Sequence, residues 1–203
     1  LPFHHNLFLQ AFAYSLIQDN AMKDELHNQG IAYEKRVFKP FTFSNLIGNF
    51  KLIDSQFHFQ SPIEFIICTN LKELAKEYVN SIISANSFFL NKQKLEIISM
   101  KMLKEPDLSN ATRFKTLSPI TVYSTLENPD GSKYTRYYNP RDPDFTELVK
   151  SNIQKKATAL YDMELPDEEF YMKPTSYHDK QMKTIMYKNT IIKAWAGDFE
   201  LTA

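Results

Sequence analysis

The stretch KRVFKPFTFSNLIG at residues 35–48 decides how the first half of the chain folds. Phe41 and Phe43 alternate with polar residues, and this period of two predicts a β-strand with one buried face. Three cations lie within the first five residues of the stretch. In an unbroken strand Lys39 would share the buried face with both phenylalanines. For Lys39 to reach a ligand, Pro40 would have to bend or bulge the strand, and a Lys39 buried under the sheet would have no such role.

Two helices precede this strand. Residues 6–18 carry apolar side chains at helical spacing, which predicts a helix with one buried stripe. The stripe consists of Leu9, Phe12, Ala13, Leu16 and Ile17. At about 100° per residue Tyr14 points away from the stripe, so we expect it at the edge or exposed. A shorter helix, capped at residues 19–20, is predicted to end at Gly30 with His27 in its last turn.

Short strands and one further helix follow the opening stretch. We predict strands at 49–59 and 61–68, a helix that begins with a capping box at residue 70, and a strand at 92–104. If a strand preceded residue 1, this order would be the βαββαβ arrangement of ferredoxin-like domains and RNA-recognition motifs.

The second half has a similar mixture of elements. We predict a strand at 113–123 that is interrupted by a proline, a hairpin turn at 128–131, and a helix that Asp142 caps and that begins with a proline. Further strands are predicted near 169–172, 181–188 and 190–196. The sequence thus predicts an α+β chain of two tandem ferredoxin-like domains, at 1–106 and 107–203, with antiparallel sheets and helices on one face.

Composition limits the class of protein. The 203 residues are 43% hydrophobic and include 24 basic and 24 acidic side chains, so any anion site must come from local placement of charge. No apolar run approaches the roughly 18 residues of a spanning helix. Cys68 is the only cysteine and follows an apolar run, so we expect it in the core of a protein of the reducing cytoplasm.

Three side chains suit metal-free RNA cleavage. Tyr14, His27 and Lys39 are predicted on a helix, a helix end and a strand of one domain. Cleavage by the 2′-hydroxyl of RNA needs a base, charge stabilisation at the phosphorane and an acid, and these three residue types supply such roles without a cofactor. Spacing alone is not specific, and it leaves open a surface-packing tyrosine and a histidine that serves only the helix dipole.

Two other features have ordinary explanations beside functional ones. The hairpin arm at 133–138 is basic and aromatic, so it could stack bases and neutralise phosphates, but a solvated hairpin is the alternative. Acidic residues cluster at 162–169, where we favour a solvated loop over a metal site. No spacing of His, Cys, Asp and Glu resembles a zinc or iron site, and we expect no cofactor.

Several motifs together resemble the family of CRISPR repeat-processing endoribonucleases. They are LPFHH at 1–5, LQAFAY at 9–14, LH at 26–27, FKPFTFS at 38–44 and FKTLSPI at 114–120. The last two are the most specific, and the similarity covers nearly the whole chain, with 125–196 diverged. The family's strand before the first motif and its C-terminal glycine-rich loop have no counterpart here, and we expect both to lie beyond residues 1–203.

The resemblance implies two ferredoxin-like domains and metal-independent cleavage of CRISPR precursor transcripts within the repeat, leaving a 2′,3′-cyclic phosphate and a 5′-hydroxyl. It assigns the catalytic roles to Tyr14, His27 and Lys39, with CRISPR repeat RNA as the partner. We expect further RNA contacts from local cations, namely Lys35, Arg36, Arg113, Lys115, Lys133 and Arg136. Other subunits of a CRISPR effector complex and a homodimer remain open as partners.

In a rival interpretation the chain has the same fold but no catalytic activity. In that case the chain is a non-catalytic RNA-binding subunit of a CRISPR effector complex, and the tyrosine, histidine and lysine are incidental. A ferredoxin-like small-molecule sensor is a more remote alternative.

Overall fold

The computed structural model describes residues 1–85, 87–104, 112–166, 170–187 and 190–202. The chain divides into two compact units, Leu1–Lys104 and Glu105–Ala203, which we call the first and second unit.

Three helices form in the first unit. They are α1 at Asn6–Ser15, α2 at Asn20–Asp24 and α3 at Lys72–Ser84, and α2 continues directly into a π-helical turn at Glu25–Gln29. Asp19 caps α2, because its carboxylate accepts hydrogen bonds from the N–H groups of Ala21 and Met22 at 2.8 and 3.1 Å.

The strands of the first unit are short and antiparallel. They are β1 at Ile31–Tyr33, β2 at Arg36–Phe38, β3 at Phe41–Phe43, β4 at Phe50–Ile53, β5 at Gln56–Phe59, β6 at Ile67–Thr69, β7 at Phe88–Leu90 and β8 at Gln93–Leu95. The pairs are β1 with β2, β3 with β6, β4 with β5 and β7 with β8. Pro2 forms an isolated antiparallel bridge with Gln56 of β5.

The predicted stripe of the first helix forms the core of this unit. All five stripe residues are buried, and they pack with Leu74 and Tyr78 of α3 and with Phe88 and Leu90 of β7. The predicted alternation of buried and exposed residues in β3 is also confirmed, since Phe41 and Phe43 face this core.

Several predictions for the first unit are wrong, among them the strand at 61–68, of which only residues 67 and 68 belong to β6. Residues 49–59 are a hairpin, because Asp54 and Ser55 adopt positive φ and turn the chain between β4 and β5. The capping box does not form, since Leu71 is the N-cap of α3 and makes no side-chain cap. Of the predicted strand at 92–104 only β8 exists. Cys68 is exposed, because it lies on the outer face of β6 between two partly buried neighbours.

The second unit combines one long helix with antiparallel strands. The elements are β9 at Arg113–Lys115, β10 at Tyr123–Glu127, β11 at Lys133–Tyr137, α4 at Pro143–Tyr161, β12 at Tyr171–Pro174, β13 at Met182–Tyr187, β14 at Thr190–Trp195 and β15 at Asp198–Thr202. A three-stranded sheet has the order β12-β15-β9, while β10–β11 and β13–β14 are hairpins.

Most predicted elements of the second unit are confirmed. The turn at 128–131 joins β10 to β11, and Asp142 is the N-cap of α4 with a proline following it. Phe145 of α4 and Phe199 of β15 are the fully buried centre of the core. Strand β15 was not predicted, and the predicted strand at 113–123 ends as β9 at Lys115.

The α+β class with antiparallel sheets and helices is therefore confirmed, and the architecture agrees with two ferredoxin-like units in tandem. No helix in the described ranges is both long and apolar enough to cross a membrane.

Candidate active site

The first unit brings Tyr14, His27 and Lys39 together at the end of the π-helical turn. The Tyr14 hydroxyl donates to the main-chain oxygen of Leu26 at 3.3 Å, and the Lys39 Nζ donates to the same oxygen at 2.6 Å. Lys39 Nζ also donates to the main-chain oxygen of His27 at 2.8 Å. The Tyr14 and His27 rings meet edge to face with centroids 5.2 Å apart. Two carbonyls of one turn thus hold the Tyr14 and Lys39 side chains, and the Tyr14 ring contacts His27.

The π-helical turn explains why these carbonyls are available. Gly30 N–H donates to Glu25 O at 2.8 Å, five residues back, and the helix ends there. The last carbonyls of a helix lack partners within it and carry the negative end of the helix dipole, so they attract a cation. Single π turns of this kind are frequent at functional sites.

Lys39 reaches the turn because the strand breaks after Phe38. Strand β2 ends at Phe38 and β3 begins at Phe41, so Lys39 lies between them and does not share the buried face of β3. The bend at Pro40 that a role for Lys39 requires is therefore present. Partial burial lowers the pKa of Lys39 below its ordinary value. The third N–H of its ammonium group has no partner among the described residues and remains for a ligand.

Tyr14 corrects the sequence prediction, because its side chain is only 7% exposed rather than at the edge of the helix. The helical-wheel argument counted one buried face, but Phe41 of β3 and His27 cover Tyr14 from other directions. Burial raises the pKa of the nearby Tyr78 hydroxyl, and Tyr14 raises it further. The tyrosine side of the site is therefore buried.

The His27 side chain is exposed, although its ring contacts the buried Tyr14 ring. Its Nδ1 lies 2.9 Å from the side-chain oxygen of Asn28. When Nδ1 carries the proton it donates to this oxygen, and Nε2 is then the unprotonated nitrogen that can accept a proton. In this tautomer Nε2 is the nitrogen that can act as a general base.

Gly30 allows the turn and Lys39 to approach closely. Its φ is 59° and its ψ is −156°, a conformation that is essentially restricted to glycine. A Cβ atom there would lie 2.8 Å from Phe38 O and 3.2 Å from Lys39 Nζ.

Sequence reasoning missed three parts of this site: the carbonyl of Leu26, the amide of Asn28 and the close approach at Gly30. A glycine after the histidine was visible as a helix end, but nothing in residue types indicates a π turn. Main-chain acceptors have no signature in a sequence.

The six cations predicted to bind RNA are all exposed. Lys35 and Arg36 lie at the β1–β2 turn, Arg113 and Lys115 on β9, and Lys133 and Arg136 on β11. The guanidinium of Arg136 lies over the Tyr138 ring at 4.7 Å. Their contact with RNA stays a prediction.

The acidic segment gives no metal cluster within the described part of the chain. Residues 162–166 are an exposed loop after α4, and 167–169 lie outside the described residues. Groups of His, Cys, Asp or Glu arranged to hold a metal ion are absent from the described residues generally.

Comparisons with known proteins agree with this picture. Residues 103–203 match the family model for the C-terminal part of CRISPR associated protein Cas6. The CRISPR-associated endoribonuclease Cas6 1 of Methanocaldococcus jannaschii is 28% identical over 215 residues, which is 99% of this chain and 78% of that protein. The CRISPR-associated endoribonuclease Cas6 of Pyrococcus furiosus is 24% identical over 171 residues, or 83% of this chain and 61% of that protein.

Solved structures share the fold at low identity. One described as CRISPR associated protein Cas6 has a TM-score of 0.76 and 23% identity, covering 100% of this chain and 81% of its own. A Cas6-related protein from Pyrococcus furiosus has a TM-score of 0.81 and 19% identity, with coverage of 99% and 80%. An RAMP protein described as binding different RNA substrates has a TM-score of 0.80 and 16% identity, with coverage of 100% and 82%.

Fold and site together define a class of α+β proteins with two units, the first of which holds a tyrosine, a histidine and a lysine around one helix end. The chain belongs to the Cas6 family of CRISPR-associated proteins.

Proposed function

We propose that this chain is an endoribonuclease that cuts CRISPR precursor transcripts within the repeat, with Tyr14, His27 and Lys39 at the site of cleavage. The curated relatives are named as CRISPR-associated endoribonucleases. The observation that carries the assignment of residues is the shared acceptor: Tyr14 and Lys39 both donate to the carbonyl of Leu26, the residue before His27.

His27 is the general base. Its exposed ring can meet the 2′-hydroxyl of the nucleotide before the cut, and Nε2 removes that proton while Asn28 holds Nδ1. The 2′-oxygen then attacks the adjacent phosphorus, and the bond from phosphorus to the 5′-oxygen breaks. The 5′-oxygen leaves with the bonding electron pair and takes a proton from water, so the products are a 2′,3′-cyclic phosphate and a 5′-hydroxyl. No metal is required for this reaction.

Lys39 stabilises the negative charge of the phosphorane. Two of its N–H groups are fixed on the carbonyls of Leu26 and His27, so the third has a defined direction. A donor held in place before the reaction costs no reorganisation when charge develops, which makes such groups effective in catalysis. The helix end thus positions the base and the cation as one rigid piece.

Tyr14 positions the other two groups. Its hydroxyl is buried and its ring supports the His27 ring, so burial favours this orienting role over that of an acid open to the leaving 5′-oxygen.

The partner is CRISPR repeat RNA, and the proposed additional contacts are the six exposed cations on β9, β11 and the β1–β2 turn. The proposal also includes two domains, at 1–106 and 107–203, a location in the cytoplasm and activity without a cofactor. Assembly with other CRISPR subunits, or as a homodimer, is compatible with this proposal.

The decisive experiment is cleavage of end-labelled CRISPR repeat RNA in EDTA. The unaltered chain should cut at one position, and a single 2′-deoxy nucleotide before that position should block the cut. His27→Ala should lower the rate by at least about 100-fold, as for loss of a general base, while RNA binding changes little. His58→Ala is the matched control, because His58 is an exposed histidine on β5 of the same unit.

Equal cleavage by the His27→Ala and His58→Ala proteins would refute the role of His27. Tight RNA binding without any cleavage by the unaltered chain would instead identify a non-catalytic RNA-binding subunit.

A further inference from the structure

The helix that carries His27 packs against the core of the first unit at few points. It consists of the five residues of α2 followed by the five of the π-helical turn, at 20–29. Leu26 is the only buried residue in this range, Met22 and Lys23 are half-buried, and the others are exposed or, at Gly30 just beyond it, half-buried. Apolar packing therefore holds this helix less firmly than it holds α1, so polar contacts must help to fix its direction.

A carboxylate from α3 holds the start of this helix. Glu77 Oε2 accepts hydrogen bonds from the main-chain N–H groups of Gln18 and Asp19 at 3.2 and 3.1 Å. Successive N–H groups that converge on one point form a concave site for an anion, and hydrogen bonds to a charged acceptor are stronger than those between neutral groups. Leu74 and Tyr78, on the same helix as Glu77, are buried in the core of the unit. The carboxylate is therefore mounted on a helix that the core immobilises.

Packing fixes where the link between α1 and α2 begins but not the direction in which it continues. Leu16 and Ile17 are buried, whereas Gln18 and Asp19 are exposed. The backbone dihedral angles of these two exposed residues set the direction of the helix that follows. Because Glu77 binds the N–H groups of both residues, it restricts those angles.

The far end of the helix is held by Tyr14 and Lys39, through the carbonyls of Leu26 and His27. Contacts at one end fix the position of that end, and a second contact at the other end is needed to fix the direction of the axis. The start of the helix at Asn20 lies about 10 Å away, at about 1.5 Å per residue. A side chain extends about 5–6 Å from a helix axis, so a tilt of about 10° around the held carbonyls moves the imidazole by about 1 Å. A displacement of about 1 Å at a reacting group can cost about 100-fold in rate.

We propose that Glu77 is a positioning residue for cleavage, which holds the start of the His27 helix and so sets the direction in which the imidazole meets the 2′-hydroxyl. This rests on the proposed function, which makes His27 the general base. Glu77 acts through the helix, because its hydrogen bonds are made at residues 18 and 19 and not at the trio. The helix is then held at both ends, by a carboxylate at its start and by a hydroxyl and an ammonium group at its end.

Three variants test this role. Glu77→Ala removes the acceptor, whereas Glu77→Gln keeps an oxygen that can accept both N–H groups but removes the charge. Glu73→Ala is the matched control, because Glu73 lies one turn earlier on α3, is exposed, and pairs with Lys76 at 2.9 Å rather than with the link. Both alanine variants remove one negative charge from the same helix. Circular dichroism sets a temperature at which every variant is folded.

Cleavage of CRISPR repeat RNA at saturating protein is the first readout. Glu77→Ala should lower the single-turnover rate about 5- to 50-fold, as for a displaced catalytic group, while the Kd for the RNA changes less than about twofold. Glu77→Gln should keep at least about half of the unaltered rate, and Glu73→Ala should cut as fast as the unaltered chain. Equal rates for Glu77→Ala and Glu73→Ala would overturn the proposal. So would an equal loss in Glu77→Gln and Glu77→Ala, which would assign the effect to charge instead of to the held N–H groups.

The NMR signal of the His27 ring separates this proposal from the proposed function. Its ¹H–¹³C signal, assigned by its loss in His27→Ala, reports the edge-to-face contact with Tyr14 without any cleavage. The signal should shift in Glu77→Ala and stay in place in Glu73→Ala, while the signal of His58 on β5 stays in place in both. An unshifted His27 signal in Glu77→Ala would contradict the positioning role. If the unaltered chain does not cut RNA, the proposed function fails, while the His27 signal still decides whether Glu77 positions the ring.

Discussion

Gly30→Ala tests whether the close approach at the helix end builds the site. The new Cβ would lie 2.7 Å from Val37 Cγ1 and 2.8 Å from Phe38 O. The backbone conformation of Gly30 costs a non-glycine residue about 1–3 kcal/mol. Overpacking against fixed neighbours adds about 1–3 kcal/mol. The total of about 2–6 kcal/mol is a large fraction of the roughly 5–15 kcal/mol that stabilises a domain.

The substitution should also reduce cleavage. To relieve the contact with Phe38 O, the turn and β2 must separate, and Lys39 then moves away from the Leu26 and His27 carbonyls. We expect a loss of at least about tenfold in single-turnover rate at a temperature where the protein is still folded. The assays are urea unfolding and cleavage of repeat RNA in EDTA.

Gly131→Ala provides the matched control. Gly131 also has a positive φ, of 82°, but a Cβ there would meet nothing within 4 Å. It should therefore show only the conformational cost, about 1–2 kcal/mol, and unaltered cleavage. If Gly30→Ala lost no more stability than Gly131→Ala and cut RNA equally fast, the reasoning about close approach would be refuted.

Three further substitutions test other parts of the structure. Burial lowers the pKa of His5 below its ordinary 6.5, so the folded protein binds this proton less readily than the unfolded chain, and stability should fall as the pH drops below 6.5. His5→Phe should flatten that fall when Tm is measured between pH 5 and 8. Parallel Tm curves for the two proteins would contradict this. Tyr78→Phe removes a buried hydroxyl that has no hydrogen-bond partner among the described residues. Urea unfolding should therefore show equal stability or a gain of up to about 1 kcal/mol. A clear loss of stability would mean that the hydroxyl does form a hydrogen bond in the folded protein. Phe145→Ala empties the centre of the second unit and should cost about 3–5 kcal/mol in the same assay, with a loss under about 1 kcal/mol indicating that the core collapses around the gap.

Periodicity predicted the parts of the fold that depend on one dominant contact face. The stripe of α1 and the alternation of β3 each pack against one core, so counting residues was enough. The bend at Pro40 followed from a conflict that the sequence itself displayed, since a lysine shared the parity of two phenylalanines. The candidate trio was named from residue types suited to one reaction, and only the resemblance to a family favoured it over the ordinary alternatives.

Errors arose where a second contact or a backbone conformation decided the outcome. Tyr14 lies off the stripe of its helix, yet β3 and the π turn bury it from the other side. Asp54 and Ser55 turn the chain with positive φ although neither is glycine, so the hairpin at 49–59 lacked the Asn-Gly or Asp-Gly pair that marks a two-residue turn most clearly. Cys68 follows apolar residues but faces outward from β6. These outcomes depend on tertiary neighbours that local patterns do not encode.

The shared carbonyl of Leu26 has a consequence for how the proposed site can vary. Because the acceptor is main chain, the side chain at position 26 is free to change to any apolar residue that fills the core. The number of residues in the turn is not free. Deleting one residue would convert the π turn to α-helical spacing and rotate His27 by about 100° around the helix axis. The proposed site should therefore tolerate apolar substitutions at position 26 but not a change in the number of residues in the turn.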